Sequence, residues 1–150
     1  MKPILFSSLA LIFLFLHSHA ASACQCIEPE HPTPEEVKVR FIREFNEAST
    51  VFSGEVISLD TFKVTFKIEK VWKGDAAGEI IMSTGTKDIG DGLHIRSACS
   101  YSFKVGERCL VYASGAGEEM QTRQCTGTGR LEDSEQRIKF LTTRRSMAVG

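Results

Sequence analysis

The sequence predicts a mainly β fold with covering helices: a small, five-stranded closed barrel stapled by disulfides. Three observations carry this. Over the middle of the chain apolar residues recur with a period of two, whereas helical spacing is confined to one stretch before the strands and one after them. Glycine breaks fall inside and between the strand patterns, where a closing sheet has to bend. Five cysteines (Cys24, Cys26, Cys99, Cys109 and Cys125) lie in a chain that starts with a secretory signal, and exported small domains keep such residues oxidised.

The signal comes first. Lys2 supplies a positive charge, 9–16 (LALIFLFL) is an unbroken apolar run, and Ala21-Ser22-Ala23 gives the small-x-small pattern of a cleavage site. The run is shorter than the roughly 18 residues a membrane span needs. Residues 1–23 are therefore expected to be a signal peptide, 24–141 one folded domain, and 142–150 a flexible tail. Cutting 23 of 150 residues leaves 127, enough for one core. Of 18 basic residues only Lys2 is lost, so 17 face 19 acidic ones, a net charge of −2. That balance offers neither a nucleic-acid footprint nor a membrane-binding surface. Of four histidines only His31 and His94 remain, and no nucleophile–base pair or metal motif is visible. The expected chain is not an enzyme and carries no cofactor.

The elements follow in order. Thr33 as N-cap, Pro34 at the first helical position and Glu36 closing a capping box start a helix. Val37, Phe41 and Phe45, with Ile42 beside them, give it an apolar face through about Asn46. From Thr50 the period becomes two. Residues 51–59 (VFSGEVISL) form a strand with Gly54 as a bulge or bend, and Asp60-Thr61 is a short connection. Phe62, Val64, Phe66 and Ile68 alternate with charged or hydroxyl residues, and Trp72 has the same parity, so all five are expected in the core. Residues 79–83 (EIIMS) are a third strand, followed by a glycine-containing polar loop over about 84–97. A turn at 104–107 leads into the strand 108–113 (RCLVYA), and 121–125 is a short fifth strand. Leu131, Ile138 and Leu141 mark a second helix over about 133–141. Periodicity by itself supports a small barrel or sandwich, and the OB-type barrel is a member of that class.

Five cysteines admit fifteen ways of forming two pairs. Cys109 lies in an apolar strand pattern, where a small buried thiol is at home. The flanks of the other four are polar or N-terminal, so Cys24, Cys26, Cys99 and Cys125 are expected to pair and Cys109 to stay free. Free thiolates at Cys24 and Cys26 could bind a soft metal, but an oxidising compartment favours disulfides.

A signal cleaved before Cys24-x-Cys26, the early helix, Val51-Phe52-Ser53-Gly54-Glu55-Val56 and Phe66-Lys67-Ile68-Glu69-Lys70-Val71-Trp72-Lys73-Gly74 together resemble the netrin-like module. More narrowly, they resemble the N-terminal domain of the tissue inhibitors of metalloproteinases. Cys99, Gly106-Glu107-Arg108 before a hydrophobic strand, and Cys125 fit the same plan, so the resemblance covers 24–125. It implies the pairs Cys24–Cys99 and Cys26–Cys125. It also implies a secreted inhibitor of zinc metalloendopeptidases, acting as a monomer on a zinc metalloprotease partner. The Cys24 main-chain amine and carbonyl oxygen would chelate the partner's catalytic zinc, and Gln25 would enter the specificity pocket. Cys26, Ile27, Glu28, Pro29, Ser97, Ala98 and Cys99 would complete the inhibitory edge.

Other readings use the same residues. Ala21-Ser22-Ala23-Cys24 approximates a bacterial lipoprotein site, and a lipidated Cys24 would make the chain a membrane-tethered interaction module, able neither to bridge Cys99 nor to chelate zinc. A secreted netrin-like interaction module without protease inhibition is the broader alternative. Extracellular, periplasmic and cell-surface locations all suit these readings. Nucleic acid is not an expected partner, because Phe62, Phe66 and Trp72 are assigned to the core rather than to a basic stacking face.

Overall fold

The computed structural model describes residues 24–27 and 29–148; the expected signal peptide, 1–23, lies outside them. The fold is mainly β with two helices, a five-stranded antiparallel sheet and a separate two-stranded hairpin. No described helix is long and apolar enough to cross a membrane.

Helix α1 (Pro34–Glu47) begins where the capping box places it. The Glu36 amide donates to Thr33 Oγ1 at 3.3 Å, and the Glu36 carboxylate accepts from the Thr33 amide at 2.7 Å. The Thr33 amide first, and then the Thr33 hydroxyl, which donates to the same carboxylate at 2.8 Å, hold the Glu36 carboxyl below its ordinary value of 4.5. The helix ends at Ala48, whose N–H returns to Glu44 O. Its last carbonyls are capped from a distance: Lys73 Nζ donates to Phe45 O at 2.8 Å, Asn46 O at 3.0 Å and Ala48 O. A cation there also complements the negative end of the helix.

Strands β1 (Thr50–Leu59), β2 (Lys63–Lys73) and β3 (Glu79–Ser83) form a meander, and β6 (Arg108–Ala113) pairs with the other edge of β1. The sheet order is β3-β2-β1-β6-β7, with β7 (Gly129–Arg130) pairing with β6. Gly54 sits at a register shift, and a Cβ there would stand 2.6 Å from Lys67 O. Glycine lets the two backbones approach.

Two cores form because the sheet is covered on both faces. The inner face buries Phe52, Val56, Val64, Phe66, Met82, Cys109 and Val111. Phe66 meets both Phe52 and Phe103 edge to face, at 5.3 and 5.0 Å. The opposite face packs Val51, Leu110 and Tyr112 against Phe45, Ile138, Phe140 and Leu141 of the helices. The alternation expected in β2 breaks near its end. The register passes from Gly54↔Ile68 to Ser53↔Lys70, so Glu69 is an extra residue that flips the parity. Val64, Phe66, Ile68 and Val71 thus face the inner core, whereas Trp72 packs with the helices. Phe62 lies just before β2 and is half-buried.

Three expectations are corrected. A closed barrel is not found: the ladder ends at β3 on one side and β7 on the other. Single bonds link β3 through 120–121 to the residue after β6, Ser83 N–H to Met120 O at 2.8 Å and a reciprocal pair between Ser114 and Gln121, without reaching β7. Residues 121–125 are not a strand, because their bonds go to several partners: Gln121 to Ser114, Thr122 Oγ1 to Tyr112 O, and Gln124 N–H to Cys99 O. The fifth strand of the sheet is instead β7. Finally, 142–148 is not a loose tail but the end of α2 (Glu135–Ala148). Thr142 and Thr143 hydroxyls donate back to Ile138 and Lys139 carbonyls, the Arg144 guanidinium lies 4.7 Å over the Phe45 ring, and Arg145 donates to Val71 O. The earlier loop 84–97 also contains structure, strands β4 (Thr86–Asp88) and β5 (His94–Arg96).

Candidate functional site

The residues before α1 have no ladder of their own, so covalent bonds position them. Cys24 is bridged to Cys99 with Cα atoms 5.1 Å apart, and Cys26 to Cys125 with Cα atoms 5.5 Å apart. These are the pairs the resemblance implies. They fasten an N-terminal segment at two points, one residue apart, to the two loops that flank β6 in sequence. Those loops are themselves joined: Gln124 N–H donates to Cys99 O at 2.9 Å, and Ser100 bridges Arg123.

Between the bridges Gln25 is exposed, and just beyond them Ile27 is 99% exposed with Pro29 also in solvent. Glu28 lies outside the described residues. Ser97 and Ala98 are exposed beside the first bridge, and Cys99 is half-buried. The turn they make is held by Ser97, whose hydroxyl accepts from Cys99 N–H at 3.2 Å and whose carbonyl accepts from Ser100 N–H at 3.0 Å. Arg96 braces its other side, donating to Tyr101 O at 2.7 Å. The structure thus brings Cys24, Gln25 and Cys26 to the Ser97–Ala98–Cys99 turn. Ile27 and Pro29 depart toward α1, where a shallow groove of about 300 Å³ separates them from Val37 and Val39.

The remaining candidates have structural surroundings. Cys109 is free and buried. Burial, and then Glu107, push its thiol from 9.0 up to about 12, so it is a neutral core group. His94 meets the Phe62 ring edge to face at 4.9 Å, with Nδ1 4.0 Å from Asp88. His31 is exposed. Among the described residues no three His, Cys, Asp or Glu side chains are grouped to hold a metal ion.

Sequence reasoning missed the β4–β5 hairpin. Its signal was present: Ile89-Gly90-Asp91-Gly92-Leu93 is an apolar pair around a glycine turn, followed by the alternating His94-Ile95-Arg96. Three of the exposed large apolar residues, Ile89, Leu93 and Ile95, belong to it. No family model matches the chain, and no curated protein matches it.

Proposed function

We propose that the chain is a secreted inhibitor of zinc metalloendopeptidases that acts through its mature N-terminus. The observation that supports this reading is the double fastening of the N-terminal segment, Cys24 to Cys99 and Cys26 to Cys125, with Gln25 and Ile27 left in solvent. Cleavage after Ala23 would leave Cys24 with a free α-amine. A catalytic zinc keeps one coordination position for water. An amine and the carbonyl oxygen of the same residue form a five-membered chelate that displaces that water. The amine has to be neutral, which costs little near neutral pH because α-amino groups titrate near pH ~8. A terminus already locked by its own side chain loses little freedom on binding. In this reading Gln25 enters the pocket beside the zinc, and Ile27, Pro29, Ser97 and Ala98 meet the walls of the cleft. The open sheet is on the same reading an incompletely closed OB-type barrel.

The test is inhibition of a panel of zinc metalloendopeptidases, thermolysin included, by secreted protein whose intact mass has been measured before and after reduction. The expected result is a chain starting at unmodified Cys24, a gain of about four hydrogens on reduction, and inhibition of at least one zinc enzyme but of no serine protease. A mass carrying a diacylglyceryl group, or a chain that inhibits none of the zinc enzymes, overturns the proposal.

A further inference from the structure

The β4–β5 hairpin leaves its aliphatic side chains in solvent. The ladder pairs Thr86 with Arg96, Lys87 with Ile95 and Asp88 with His94. Side chains alternate between faces along a strand. Thr86, Asp88, His94 and Arg96 therefore share one face, which touches the body at two points, His94 on the Phe62 ring and Arg96 on Tyr101 O, and is otherwise largely in solvent. The other face carries Ile89, Leu93 and Ile95, which are 56%, 61% and 52% exposed. A hairpin folding for its own stability would bury the aliphatic face.

The apolar face is also held rigid. Asp88 Oδ1 accepts from Gly90 N–H at 2.8 Å, Leu93 N–H donates to Gly90 O at 2.9 Å, and Ile89 N–H donates to Leu93 O at 3.0 Å. Gly90 and Gly92 adopt φ of 95° and 72°, and Asp91 between them adopts 52°. Left-handed backbone at all three positions fixes a tight turn. Side chains presented from such a frame lose little entropy when covered.

Charge beside the ridge narrows what can cover it. A concavity of about 390 Å³ runs from Ile95 to the bridged loops, and its charged lining residues are Lys87, Arg96 and Arg123. No ion pair among the described residues involves any of the three. The same concavity reaches Ser97 and Ser100, the neighbours of the Cys24–Cys99 bridge, and Arg123 is two residues from Cys125. The apolar ridge, the cationic hollow and the N-terminal edge are therefore continuous. A lipid surface fits less well than a protein, because Asp91 at the apex would have to enter the apolar layer with the two aliphatic side chains that flank it.

We propose that this hairpin is a second docking site for the same protease partner, and that it selects proteases carrying an apolar patch rimmed by carboxylates beside the active-site cleft. The inference rests on the inhibitor reading and adds a determinant of which enzyme is inhibited. Ile89, Leu93 and Ile95 fill the patch, while Lys87, on the same face as Ile95, and Arg123 meet its acidic rim. The apolar contacts govern the dissociation rate, and the cations govern association and its salt dependence.

The experiment compares inhibition constants of the mature wild-type chain, the triple variant Ile89→Ser/Leu93→Ser/Ile95→Ser, and Lys87→Glu/Arg123→Glu, against whichever zinc enzyme of the panel the wild type inhibits best. All five substituted side chains lie at the surface, so thermal midpoints should agree between the three proteins. The expected result is a rise in inhibition constant of about 10- to 100-fold for the triple variant, mainly in dissociation. The charge reversal should slow association, with the difference shrinking as salt is raised. Undiminished inhibition by both variants overturns the hairpin proposal and leaves the inhibitor reading standing. A wild type that inhibits nothing overturns both. Retained inhibition by the triple variant, together with sedimentation of the wild type but not of the triple variant with phosphatidylserine vesicles, overturns the proposal and reassigns the face to a membrane.

Discussion

Cys109 sits in the middle of β6 among inner-core residues, with its thiol titrating only near 12. The folded-state value lies above the ordinary 9.0, so folding favours the protonated form. Its contribution to stability is therefore complete below about pH 9 and is lost as pH rises toward 12. A thiol held neutral and out of solvent should not react with Ellman's reagent in the native protein at about pH 8, and should react once the chain is unfolded in guanidinium. Rapid labelling of the native state would place Cys109 elsewhere. Gly54 is a steric counterpart. Since an added Cβ would stand 2.6 Å from Lys67 O, Gly54→Ala should force β1 and β2 apart. The expected cost is about 1–3 kcal/mol in urea unfolding, and a neutral result would show that the bulge relaxes freely.

At the scale of elements, the helices are joined to the sheet and to each other by charged groups acting over long sequence distances. Glu44 of α1, 7% exposed, is paired with Arg137 of α2, whose guanidinium also lies 4.5 Å over the Phe41 ring. Breaking a buried pair leaves its partner uncompensated, so Glu44→Ala should destabilise by about 3–5 kcal/mol, whereas Glu44→Leu combined with Arg137→Met should cost much less. Equal losses in the two variants would show that packing rather than charge joins the helices. Such pairings explain what the sequence could and could not disclose. The start of α1 was legible because Thr33, Pro34 and Glu36 act within one turn. So were β1 to β3 and β6, because β2 carries a clean alternation and β1, β3 and β6 are short apolar runs bounded by turn residues. The Trp72 face was not legible, since the bulge at Glu69 depends on how β1 and β2 align. Nor was the helical state of 142–148, where Arg144 and Arg145 reach Phe45 and Val71 from far along the chain. The N-terminal edge was foreseeable only through the resemblance, because nothing near Cys24 or Cys26 names its partner.

At the scale of the molecule, the two disulfides turn an N-terminal segment without regular structure into part of a rigid surface. They close sequence separations of 75 and 99 residues. On a loop-entropy model each contributes about 4.5 kcal/mol. Cys26→Ser/Cys125→Ser should accordingly lower stability by about that amount, read from urea unfolding, and should weaken inhibition more than it perturbs the sheet. A loss below about 1 kcal/mol would mean that the unfolded chain is already compact there. The same rigidity underlies the proposed chemistry, in which one main-chain amine has to reach a partner's zinc from a fixed direction. The most direct measurement compares the inhibition constant of protein starting at Cys24 with that of the same protein carrying one extra alanine before it, both with intact disulfides and equal thermal midpoints. The account predicts that the added alanine abolishes inhibition; undiminished inhibition by the extended chain would contradict it.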